Sequence, residues 1–290
     1  MGLLEDVTSF DAANRATVDK LRGPTPAGVI EAIIVGETGG DRFSLASDVN
    51  LDETGWSSEP LFIAFKYDVD PCDKVGGIWL RCLVTGNDAM DLLEKQKKAE
   101  HPLLTTTNRD LWYCTILAYS VGKGALRHVL ECVGMVYPTW LVEAGAAGLS
   151  VEAAISRWAK MTDLSLPTHR HHWGRQSPAL IFHRLTGPKH GEWLDVAEKL
   201  SPLDGPAGPV TPRQRPAGVP PFPEELVGIA KYLLFAGATK AQLKAKAKEL
   251  RRYLNRRRRA ENAPKAPLVF RIRRFFERGR TVSGRRTEVA

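Results

Sequence analysis

The chain has 290 residues, 43% of them apolar and 26% charged, so most of it is expected to fold, as one large domain or two modest ones. No apolar run reaches the roughly eighteen residues of a spanning helix, and the opening MGLLEDVTSF carries Glu5 and Asp6 where a secretory signal is positive. The net charge of +8 is uneven: Lys240 to Arg286 holds eighteen Lys and Arg against three Glu, and the remainder of the chain is therefore acidic.

Residues 1–22 read as a short helix with Phe10, Ala13, Val18 and Leu21 on one face, stopped at Gly23-Pro24. The body, 23–200, then starts with four β-rich runs between 27 and 85: GVIEAIIV, RFSLA, PLFIAFKY and IWLRCLV. Turn residues separate them, at Gly39-Gly40, Asp70-Pro71 and Gly76-Gly77, with no helical crossover between. They predict a small antiparallel sheet.

From 87 to 200 the pattern turns helical. Asn87 is placed to cap DAMDLLEKQKKA, Thr107 or Asn108 to cap RDLWYCTILAYSV, and Ser150 to open VEAAISRWAKM. Helices also fit ALRHVLECVGM, PALIFHRL with Pro178 at its first position, and GEWLDVAEKL. Residues 201–223 form a Pro-rich linker, with eight prolines and three glycines between Pro202 and Pro223, expected to be an extended spacer. A helical pair follows at 224–262, EELVGIAKYLLF and then a basic second helix from Thr239, which with Gln242 makes a capping-box pattern. Residues 263–290 are a basic amphipathic tail. The fold class expected is α+β: a small antiparallel sheet near the N-terminus, a helical bundle, a Pro-rich linker and a basic helical C-terminal arm.

The basic helix carries the functional signal. Leu243, Ala247, Leu250 and Leu254 fall on one stripe, which suits docking on the body better than self-association, since fewer than three heptads are present. Lys240, Lys244, Lys246, Lys248, Arg251, Arg252, Arg256, Arg257, Arg258 and Arg259 cover the rest, with only Glu249 and Glu261 nearby in sequence to pair with them. Such a surface calls for a polyanion, and guanidinium forks suit phosphate oxygens. The pair has a helix-turn-helix outline, but Ala, Lys and Arg read phosphates better than base edges. In the tail, Arg271, Arg273 and Arg274 extend the basic surface, while Leu268, Ile272, Phe275 and Phe276 form an apolar face fit for an anionic membrane or a partner protein.

Other motifs are weaker. His169 and His172 lie between Pro167 and Gly174, read as a polar loop, so neither a metal site nor a cofactor is expected there. The glycines at 36, 39 and 40 lack the Lys-Ser/Thr of a phosphate-binding loop, and no nucleophile elbow is present. Asp68, Asp70 and Asp73 offer carboxylates for a metal-dependent nuclease, but no motif fixes their geometry, so no enzyme activity is expected. Cys72, Cys82, Cys114 and Cys132, without a CxxC, are expected reduced and mostly buried, in cytoplasm, nucleus or a virion interior. With Asp6 where the myristoylation pattern has Ser or Thr, neither secretion nor a lipid anchor is expected.

The reading is a non-enzymatic nucleic-acid-binding structural protein, RNA or DNA, holding phosphates through its cationic arm as a nucleocapsid-like viral protein would. The alternative is a matrix-like peripheral membrane protein using the amphipathic tail. Lys248 to Arg259 also fits a nuclear-import signal.

Overall fold

The computed structural model describes residues 2–45, 53–57, 59–99, 108–136, 150–174, 176–203, 214–233 and 240–261. It is mostly helical, and the run GVIEAIIV shows why the expected sheet is wrong. That run is a helix, α2 (Ala27–Thr38), and ten of its twelve residues are buried. A helix packed on every side has no polar face to reveal a 3.6-residue period, so a β-branched apolar run of this kind resembles a buried strand. Gly39, at φ 63°, ends it in the left-handed conformation, its N–H donating to the Val35 carbonyl at 2.8 Å.

The other three runs also fail as strands. PLFIAFKY yields α3 (Leu61–Lys66), and IWLRCLV lies inside α4 (Lys74–Lys97). Of RFSLA, the described residues 42–45 are a turn ending in a single bridge from Leu45 to Thr54. Extended pairing among the described residues is otherwise limited to a two-residue antiparallel ladder, β1 (Glu53–Thr54) with β2 (Glu59–Pro60). In α4 the cap is Asp73, whose carboxylate accepts from Gly76 N at 2.8 Å, and the helix runs straight through Gly86 and Asn87. Gly76 and Gly77 mark close approach here, not a turn: a Cβ on Gly76 would lie 2.7 Å from Val69 Cγ2 and 2.9 Å from Val219 Cγ1. Arg81 is buried within α4, its Nη2 2.9 Å from Glu59 Oε1 and its guanidinium 4.5 Å from the centroid of Tyr119.

The remaining α-helices among the described residues are α1 (Leu3–Leu21), α5 (Asn108–Val121), α6 (Lys123–Val136), α7 (Val151–Met161), α8 (Pro167–Arg170), α9 (Pro178–Thr186), α10 (Lys189–Leu200), α11 (Glu224–Leu233) and α12 (Lys240–Ala260). In α1 the buried face is Val7, Phe10, Asn14, Val18 and Leu21, leaving Ala13 exposed. Ser150 caps α7 and Ser177 caps α9, each accepting at 3.2 Å, and Pro178 opens α9.

Two apolar clusters share α2 as a wall. Val29, Ala32 and Ile33 face a cluster built by α5, α6, α7, α9 and α10. Ile30, Ile34 and Val35 face the other, with α1, α3, α4, α11 and α12. Against α10 the packing is backbone-close, because a Cβ on Gly28 would sit 2.3 Å from the Ala197 carbonyl oxygen and one on Gly36 would meet the Trp193 ring at 2.4 Å. The described end of the Pro-rich stretch is fastened to the body. Val219 and Phe222 are buried, Asp70 N donates to the Pro220 carbonyl at 3.1 Å, and Phe222 N donates to Asp68 Oδ1 at 3.1 Å.

Candidate nucleic-acid interface

α12 owes its helicity to Ala, Leu, Lys and Arg, all strong helix formers, and its position to a stripe. Ala247, Leu250, Tyr253 and Leu254 are buried, the last three within the second cluster. Burying one such leucine stabilises by about 1.5–3 kcal/mol, so the stripe holds the helix on its own body. Tyr253 belongs to that stripe although the leucine period passes over it. Thr239, the expected cap, lies outside the described residues.

The charges divide by side. Arg257 and Arg258 turn inward. Arg257 Nη1 donates to Asp70 Oδ2 and to the Tyr253 hydroxyl, both at 2.8 Å, while Arg257 Nε donates to Glu261 Oε1 at 3.1 Å. Arg258 Nη2 donates to Asp41 Oδ2, and to the Phe43 carbonyl at 3.3 Å. Arg42 pairs with Glu261, closing a row of ion pairs along the C-terminal turn. Counting only Glu249 and Glu261 as available partners therefore undercounts: the body supplies Asp41 and Asp70, and α11 supplies Glu225, 2.6 Å from Arg256. Lys246 pairs with Glu249 at 2.8 Å.

At 100° per residue, Lys244, Lys248, Arg251, Arg252, Arg256 and Arg259 occupy the arc opposite the buried stripe, and all six are exposed. The Arg256–Glu225 pair on this side is about two-thirds exposed at both ends, so it restrains Arg256 only weakly. Of the other expected contacts, Lys240 begins α12, and its side chain is not among those described. Arg271, Arg273 and Arg274, and the apolar face Leu268, Ile272, Phe275 and Phe276, lie outside the described residues.

The three aspartates considered for a nuclease have structural partners. Asp73 caps α4, Asp70 holds Arg257 and accepts from Cys72 N at 2.9 Å, and Asp68, at φ 50°, accepts from Phe222 N. They converge on no shared point, and each is committed to holding a neighbouring segment.

The histidine segment differs from the polar loop expected. Pro167–Arg170 is one helical turn and His171–Trp173 a 3-10 turn, pinned by the buried Trp173, whose Nε1 donates to the Leu164 carbonyl at 2.8 Å. This arrangement carries His169 and His172 onto α6, where they meet His128 and Cys132. His128 Nε2 is 2.9 Å from His169 Nδ1 and 3.6 Å from Cys132 Sγ, and the His172 ring stacks on His128 with centroids 3.7 Å apart. Burial, with the neighbouring histidines, holds the His128 imidazole down at about 4, so it is neutral at ordinary pH. The signal available in sequence was the i,i+4 spacing of His128 and Cys132 on a helix, but no short motif links that pair to His169, 41 residues from His128. All four cysteines are unpaired and buried.

No helix among the described residues is long and apolar enough to cross a membrane. No protein-family model, curated protein or solved structure matches this chain.

Proposed function

We propose that the protein is a non-enzymatic nucleic-acid-binding structural protein whose contact surface is the outward face of α12. The observation that supports this reading is the division of charge on that helix. The stripe and the inward Arg257 and Arg258 fasten it to the body, and Lys244, Lys248, Arg251, Arg252, Arg256 and Arg259 remain on the exposed arc. From Lys244 to Arg259 the arc spans about 23 Å at 1.5 Å per residue, and duplex DNA presents one charge per roughly 1.7 Å of axis. A helix that is already docked has no backbone left to order on binding, which favours association. Affinity comes from counterion release and is largely indifferent to base sequence.

The test is binding of the wild type and the Lys248→Glu/Arg252→Glu variant to labelled duplex DNA, single-stranded RNA and anionic liposomes. Removing two phosphate contacts lowers duplex affinity by about 50–100-fold at about 0.1 M salt, and charge reversal lowers it further. Unchanged nucleic-acid affinity refutes the reading. Tight liposome binding without nucleic-acid binding transfers the case to the membrane alternative.

A further inference from the structure

A cluster of side chains with metal-ligating groups lies where α8 meets α6, sharing no residue with the proposed phosphate surface. His128 and Cys132, one helical turn apart on α6, project from one face. His169 reaches them from α8, set there by Trp158, whose ring lies edge-on at 5.7 Å, and by the buried Trp173 of the following turn, 5.6 Å from the His128 ring. Three donors converge: the His128 and His169 imidazoles and Cys132 Sγ each offer one ligand atom, all within 4.8 Å of one another.

The spacing fits a tetrahedral ion. With Zn–N near 2.0–2.1 Å and Zn–S near 2.3 Å, tetrahedral geometry puts two nitrogens about 3.3 Å apart and nitrogen and sulfur about 3.6 Å apart. The structure has 3.6 Å between Cys132 Sγ and His128 Nε2, and 2.9 Å between the two nitrogens, so a small opening of the imidazole pair admits the ion. Without a metal, the paired nitrogens must share a single proton, with the thiol sulfur beside the same ring, 3.6 Å from Nε2 and 3.8 Å from Nδ1. An ion accepts all three lone pairs at once. Two imidazoles and a thiolate are a borderline-soft set, which suits Zn²⁺ and its spectroscopic surrogate Co²⁺ and does not suit Mg²⁺ or Ca²⁺.

We propose that His128, Cys132 and His169 bind one Zn²⁺ ion, with solvent as the fourth ligand. His172 presents its ring face to His128 and shields the ion from the side without ligating it. His171 is directed elsewhere, its Nδ1 donating to the Pro167 carbonyl at 2.8 Å. Binding releases the Cys132 thiol proton to solvent, and the ion clasps the segment 167–173 to α6. Because only the folded chain assembles the three donors, the metal also raises thermal stability.

The experiment adds Co²⁺ to the reduced, chelator-stripped full chain and reads the absorption spectrum, followed by competition with Zn²⁺. The expected result is one equivalent bound with the intense visible bands of tetrahedral Co²⁺ and a near-ultraviolet thiolate-to-cobalt charge-transfer band, all displaced by Zn²⁺. Cys132→Ser abolishes the charge-transfer band, since Cys72, Cys82 and Cys114 are fully buried and bear no part in the cluster. His169→Gln, on a partly exposed turn where folding is not at stake, weakens Zn²⁺ by more than the roughly tenfold that losing even an outer-shell partner costs. Zn²⁺ raises the melting temperature of the wild type but not of Cys132→Ser, with far-ultraviolet circular dichroism confirming that both variants fold. Absence of tetrahedral Co²⁺ bands in the wild type, or a charge-transfer band that survives Cys132→Ser, overturns the assignment.

Discussion

Replacing Arg257 with alanine tests whether the basic helix is fastened as the structure shows. In the folded protein the Asp70 carboxylate is almost fully buried and accepts from Arg257 Nη1 at 2.8 Å and from Cys72 N at 2.9 Å. The substitution removes the charged donor and leaves the carboxylate inside with one backbone N–H. Losing a charge-assisted hydrogen bond to a buried group costs about 1.5–3 kcal/mol. For a chain of this size that lowers the melting temperature by about 2–5 °C. The double variant Arg257→Met/Asp70→Asn recovers most of the loss, because it leaves no unpaired buried charge. Differential scanning calorimetry reads the stability, and fluorescence anisotropy on duplex DNA reads binding, where Arg257→Ala leaves the salt dependence as it was. A variant with an unchanged melting temperature and a shallower salt dependence refutes this placement, since Arg257 is then a phosphate contact and not an anchor.

Other consequences concern packing and acid stability. Gly28→Ala destabilises by about 1–3 kcal/mol through overpacking against the Ala197 carbonyl oxygen, outweighing the gain in helix propensity, and thermal melting of the variant measures it. Burial, reinforced by Lys189 and Arg184, holds the His190 imidazole at about 3, against its ordinary 6.5. The unfolded chain therefore takes up this proton first. The His190 contribution is complete above pH 6.5 and is lost as the pH falls toward 3, by up to about 1.4 kcal/mol per pH unit. Urea midpoints at falling pH show this slope in the wild type and a flatter one in His190→Leu.

What the sequence disclosed follows from how each element is exposed. α12 has one buried side and one solvated side, so Ala247, Leu250 and Leu254 announce a docked helix by their period. Pro178 at the first turn of α9 and Ser150 at the start of α7 are local signals and were equally readable. α2 is apolar on every side, which hides its period, and the β-branched residues in GVIEAIIV then imitate a strand. In α4, Gly76 and Gly77 read as a turn although they serve close packing within a continuous helix. The partners of the basic helix were illegible for a different reason. Asp70 lies 187 residues from Arg257 and Asp41 lies 217 residues from Arg258, and no local pattern connects them. The histidine cluster shares this difficulty, because Cys132 gains its meaning only when α8 is folded against α6.

Deleting α12 would strip Leu250, Tyr253 and Leu254 from the core and confound folding with binding, so surface substitution is the cleaner probe. The decisive measurement is the salt dependence of duplex-DNA affinity for the wild type and for Lys244→Ala/Lys248→Ala/Arg252→Ala/Arg259→Ala. Six outward cations give a slope of log affinity against log salt near −5, and the two that remain in the variant give a slope of about −2, at about 0.9 per phosphate contact. That change of slope, with the melting temperature preserved, is the result predicted. Equal slopes for the two proteins would contradict the account.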